Sequence, residues 1–273
     1  MPPEALALAL GAAVLHALWN LMLARERDIE AATAVAVLTL VAALLIPAAL
    51  TWRVEAAAVP FIVGSAALEL AYFALLAAAY RRYELSLVYP VARGSAPVLV
   101  LVGAAATGVA LGAWQAVGVV FVGCGVVLVR GVHGSVDRRG VALALVIGVT
   151  IAGYTLVDKQ GIAHASALSY LELVLAPVAL ATLAVQLAAG GTASLRRAAS
   201  PSALLAGVLS FGAYALALGA LEIAPAASVA AVRETSILFA VGLGAIVLRE
   251  RVNAGRVAGA ALVVVGVALV ALA

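Results

Sequence analysis

Charge is scarce in this chain. Only 11% of its 273 residues are Asp, Glu, Lys or Arg, 66% are hydrophobic, and mean hydropathy is +1.21. A soluble domain cannot be assembled from so few polar side chains. Several runs of about 18 or more mostly apolar residues instead indicate helices that cross a bilayer. Aromatic residues make up only 5%, which argues against a wide, aromatic-walled cavity for lipophilic drugs. There is one cysteine, Cys124, so no intramolecular disulfide can form. Within Gly-Cys-Gly it reads as a small packing residue. Three histidines, His16, His133 and His164, have no metal-ligand spacing, and neither metal nor cofactor is expected. The basic residues are scattered over short connections, which excludes a nucleic-acid patch despite the net charge of +3. Gly94-Ser95 has no identifiable base beside it, so the chain is not expected to be an enzyme. A secretory signal is also not expected, since Glu4 precedes the first apolar run where a signal would carry a basic residue.

What is present is a set of ten apolar spans. They fall at about 5–24, 31–51, 59–80, 85–107, 111–129, 141–161, 166–188, 202–221, 226–248 and 255–272. The connections are too short to hold a further folded domain. The spans form two copies of five, residues 1–130 and 141–273, joined by 131–140. Gly118–Val129 and Gly259–Val270 are identical at six of twelve positions, and Pro60 matches Pro201. Arg93-Gly94-Ser95 matches Arg233-Glu234-Thr235, and His16 to Asn20 matches Tyr154 to Asp158 in position and polarity. Five is odd, so the second copy must enter the membrane upside down. The expected fold is therefore an all-α membrane protein of ten transmembrane helices in two inverted five-helix repeats, an architecture of secondary transporters.

Arginine placement orients the chain. Connections after odd-numbered spans carry Arg25, Arg27, Arg81, Arg82, Arg130, Arg138, Arg139, Arg196, Arg197, Arg249, Arg251 and Arg256; the other side carries Arg53 and Lys159. Twelve against two puts the odd connections in the cytoplasm of a cell (inner) membrane protein and both termini outside.

Seven ionisable residues lie within spans: Glu69, Arg93, Asp158, Lys159, Glu172, Arg233 and Glu234. Unpaired in lipid they would cost about 20 kcal/mol in total, so they pair or face water. Arg93 sits between Pro90 and Pro97, either of which can kink or break a helix. Helical spacing puts His16, Trp19 and Asn20 on one face, and Tyr154 with Asp158 on another. Glu69 and Tyr72 share a face, as do Tyr89 and Arg93, and Arg233 and Ser236. A ring of aromatic, hydroxyl and charged groups suits a small polar solute, with the arginine forks on an anionic group. Glu69, Asp158, Glu172, Glu234 and His16 are the candidates for proton coupling or ion pairing. The glycines recurring at 118, 125, 259 and 266 read as close helix packing. A scaffold or receptor, with every intramembrane charge paired and no cavity, is the competing expectation.

Leu248-Arg-Glu-Arg-Val252 followed by Arg256-Val-Ala-Gly259 and Gly266-Val267 resembles the end of EamA-type members of the drug/metabolite transporter superfamily. Leu85–Pro97 and Val232–Ser236 are similar to segments of a narrower branch. The resemblance spans essentially the full length. It implies a ten-helix basket that moves amino acids and related metabolites, usually driven by protons, with a small-molecule substrate and the bilayer as partners. A monomer or weak dimer is expected. Two departures stand out: no acidic residue precedes the fifth helix, and the family's usual topology has both ends in the cytoplasm.

Overall fold

The computed structural model describes residues 1–83, 85–109, 111–130, 137–239, 242 and 254–272. Among these residues the elements are helices: α1 (Pro3–Leu23), α2 (Ile29–Leu50), α3 (Val59–Arg82), α4 (Leu85–Ala106), α5 (Ala113–Arg130), α6 (Arg138–Gly161), α7 (Ala167–Ala198), α8 (Pro201–Ile223), α9 (Ala226–Arg233) and α10 (Ala254–Leu272). Eight are long and apolar enough to cross a membrane, and α5 is a shorter apolar helix. Exposed Ile46, Leu50, Val63, Val102 and Leu180 give the outside an apolar surface suited to lipid.

Local chemistry sets the helix starts. Pro3, Pro60 and Pro201 occupy first-turn positions, where no amide hydrogen is needed. Side chains of Asp28, Asp137, Ser166 and Ser200 accept hydrogen bonds from the first turns of α2, α6, α7 and α8.

Three expectations are corrected. Helix α4 runs unbroken through Pro90 and Pro97. The break falls in the ninth span instead. There α9 ends at Arg233, a turn follows at 234–235, and helix resumes at 236–239. The cause is local tightening: Glu234, Thr235, Ile237 and Leu238 bond to carbonyls three residues back, and the Thr235 hydroxyl donates to the Val232 carbonyl at 2.7 Å. Arg233 and Ser236 therefore do not share a continuous helical face. The seventh span is longer than its apolar run, reaching Ala198 across a kink at Gly191, whose φ of 64° suits glycine. Beyond 239 the ninth span to 248, except 242, lies outside the described residues, as do Arg249, Arg251, His133 and the Leu248–Val252 segment.

Helices of the first half pack against those of the second. The main partners are α1 with α8, α3 with α6, α2 with α7 and α8, α4 with α6 and α9, and α5 with α10. The α5–α10 crossing is close because both helices present glycine. A Cβ on Gly118 would lie 2.6 Å from the Gly266 carbonyl oxygen, and the reverse is also 2.6 Å. Gly125 and Gly259 face each other likewise, at 2.8 Å both ways. The termini meet: the Met1 amine donates to the Ala271 carbonyl at 3.1 Å. At that same end of the bundle, by the alternation of the helices, the α2–α3 and α6–α7 connections pair by backbone, with an isolated bridge between Val54 and Ala165.

Candidate functional site

The polar residues of α1, α3, α4, α6, α8 and α9 converge inside the bundle. Arg93 of α4 binds Glu234, just past α9, with Nη2 3.0 Å from Oε1 and both side chains largely out of solvent. Tyr72, Tyr89 and Tyr154 lie within electrostatic range of the same guanidinium. Tyr72 meets Tyr154 edge to face at 6.3 Å. His16 is within range of both Arg93 and Arg233, and its ring abuts Trp19 at 5.0 Å.

Glu69 is only 2% exposed, and its Oε2 has no hydrogen-bond partner among the described residues. Arg233 and Asp158 are within its electrostatic range. Arg233, at the end of α9, forms no ion pair among the described residues. The centre thus holds a carboxylate and a guanidinium that face one field without bonding to each other. Such an arrangement is costly if dry and is satisfied by water or a charged guest.

Asp158 is engaged differently. Its Oδ1 accepts from Ser65 of α3 at 2.5 Å and from Tyr170 of α7 at 2.9 Å. Lys159 is not paired with acid either: its ammonium donates to the Leu221 carbonyl. Of the seven intramembrane ionisable groups, only Arg93 and Glu234 form an ion pair among the described residues. Full internal pairing, expected of a scaffold, is not seen among the described residues.

A cavity of about 50 Å³ adjoins the cluster, lined by Trp19, Leu23, Val37, Leu40, Phe73 and Tyr214 among others. The indole N–H of Trp19 is buried and has no partner among the described residues. Three expected residues stand outside the cluster. Asn20 donates to the His16 carbonyl of its own helix at 2.8 Å. Glu172, on α7, is buried away from the charged centre, its Oε2 without a partner among the described residues. Ser236 is buried beyond the turn.

The sequence reading missed Tyr214, Ser65 and Tyr170. Tyr214 lies within electrostatic range of Glu69, Arg233, Arg93 and Asp158. A signal for it existed: the offset relating Pro60 to Pro201 carries Phe73, beside Tyr72, onto Tyr214.

Apolar helices around a charged interior define a multi-pass membrane protein. Residues 138–272, which hold α6 to α10, match the model of the EamA-like transporter family. The second half of the chain belongs to that family, within the drug/metabolite transporter superfamily. A solved structure titled only as the crystal structure of a protein is 14% identical, with a TM-score of 0.78 over 100% of this chain and 98% of that one. At that identity the likeness concerns the fold. No curated protein matches the sequence.

Proposed function

We propose that this protein is a secondary active transporter that moves a small polar metabolite, amino-acid-like or anionic, across the cell membrane by alternating access. The observation that carries the reading is the pairless opposition of Glu69 and Arg233 in an interior built by both halves of the chain. Arg233 offers an open guanidinium for an anionic group, while Arg93 is already engaged by Glu234 and holds α4 to α9. Glu69 takes an amine or exchanges a proton. Tyr72, Tyr154 and Tyr214 supply the aromatic and hydroxyl wall.

Two inverted five-helix units, 1–130 and 141–273, provide the rocking halves. Their packing supports this. Exchanging the halves maps the α1–α8 contact onto α6–α3 and leaves α2–α7, α4–α9 and α5–α10 unchanged. The sequence match of Gly118 to Gly259 and Gly125 to Gly266, with contacts of Gly118 to Gly266 and Gly125 to Gly259, is the pattern of a two-fold axis. The arginine bias orients the odd-numbered connections to the cytoplasm and the termini outside. Protons drive the cycle in this reading.

A thermal-shift screen of the purified protein with amino acids, aminophosphonates, polyamines and sugars tests it. A ligand at about 100 times its Kd stabilises the folded form by about 2.7 kcal/mol. A hit among anionic or zwitterionic solutes that is lost in Arg233→Ala supports the site. Hits that survive Arg233→Ala place binding elsewhere.

A further inference from the structure

We infer that Ser65, Asp158 and Tyr170 form a clasp that shuts the central site at the end of the bundle carrying the α2–α3 and α6–α7 connections. The inference rests on the transporter reading for its purpose, and on geometry for its existence. Asp158 lies in the last turn of α6, Tyr170 in the first turn of α7, and Ser65 near the start of α3. One carboxylate oxygen gathers both hydroxyls, which ties three helices at one point. Glu69 lies one turn deeper on α3 than Ser65, so the clasp stands between the charged centre and that face.

The surrounding layer is closed. Ala58, Ser65, Ala165 and Ser169 have no exposed surface, and Tyr170 has 1%. The Tyr170 ring crosses α6 at Gly161, where an added Cβ would lie 2.2 Å from it. Above this layer the connections are tied to each other. Glu55 N–H donates to the His164 carbonyl at 2.9 Å, and Ser166 N–H donates to the Arg53 carbonyl at 2.8 Å. On α6, Lys159 adds its bond to the end of α8.

The opposite end is tied differently: the Ser194 hydroxyl of α7 donates to Asp28 at 3.1 Å and the Ser200 hydroxyl donates to Glu26 at 2.7 Å, joining the α1–α2 connection to α7 and α8. Asn20, in the position matching Asp158, donates to the His16 carbonyl of its own helix and, among the described residues, ties α1 to no other helix. The cavity lined by Trp19, Leu23 and Val37 lies toward that end. Access from the side of the α2–α3 and α6–α7 connections thus requires the Asp158 bonds to part.

The test measures access directly. With Cys124→Ala removing the native thiol, Tyr72→Cys places a reporter beneath the clasp. The protein is reconstituted in liposomes and labelled with a membrane-impermeant methanethiosulfonate from the side of the α2–α3 connection. Asp158→Ala should speed labelling at least tenfold, Tyr170→Phe and Ser65→Ala several-fold, and Asp158→Asn, which keeps an acceptor oxygen, less than twofold. Equal rates in all five backgrounds, or fast labelling with the clasp intact, would overturn the inference. Should Asp158→Ala not fold, the two hydroxyl variants decide alone. Labelling needs no transported solute. A clasp that responds as expected in a protein that carries none of the screened solutes sinks the transporter reading only. Unchanged labelling in a protein that transports sinks the clasp only.

Discussion

Removing Arg93 from its ion pair tests the energetics of the charged centre. Arg93 and Glu234 are 3.0 Å apart, with side-chain exposures of 11% and 8%. At that distance and an effective dielectric near 20, their attraction is about 5 kcal/mol. Desolvation offsets much of it, so the pair adds little net stability compared with apolar packing. Breaking it is different. Arg93→Met leaves the Glu234 carboxylate in place without its guanidinium and should cost about 3–5 kcal/mol. Glu234→Gln leaves the guanidinium in the same position and should cost a similar amount. The double variant removes both charges and should cost only about 1–2 kcal/mol, giving a coupling energy of several kcal/mol. Reversible denaturation in mixed detergent micelles, followed by circular dichroism, measures all four corners of the cycle. Additivity within about 0.5 kcal/mol would instead mean that the two charges are solvated independently and do not act as a buried pair.

Two further outcomes follow from packing and topology. Gly266→Leu should cost more than about 3 kcal/mol, because its Cβ would press on the Gly118 carbonyl, which is backbone and cannot step aside. Gly219→Ala, whose nearest neighbour is a Leu8 methyl at 3.6 Å, should be neutral or slightly stabilising; unfolding midpoints compare the two. In intact cells, Trp52→Cys in the Cys124→Ala background should react with an impermeant thiol reagent, whereas Arg196→Cys should not. The reverse result would invert the charge-based orientation.

Much of the fold was legible because membrane helices announce themselves by length and apolarity. Pro60 and Pro201 marked helix starts correctly, since a first-turn proline has no bond to lose. The same residue misled at Pro90 and Pro97, where α4 tolerates both. The break at 234–235 was hidden because it depends on a Thr235 hydroxyl bonding a nearby carbonyl, which composition does not reveal. Face arithmetic brought Glu69 and Tyr72 together, and Tyr89 and Arg93, because each pair lies on one helix. Partners across helices were not legible in this way. Ser65 and Tyr170 meet Asp158 only through the packing of α3 and α7 on α6.

In the proposed function, an open Arg233 facing Glu69 makes the protein a carrier. The direct measurement is pH-gradient-driven flux in proteoliposomes, using the best solute from the stability screen. Wild type should accumulate it, Arg233→Ala should fall at least tenfold, and Glu69→Gln should lose the response to the gradient. Wild-type flux in both variants would contradict the claim.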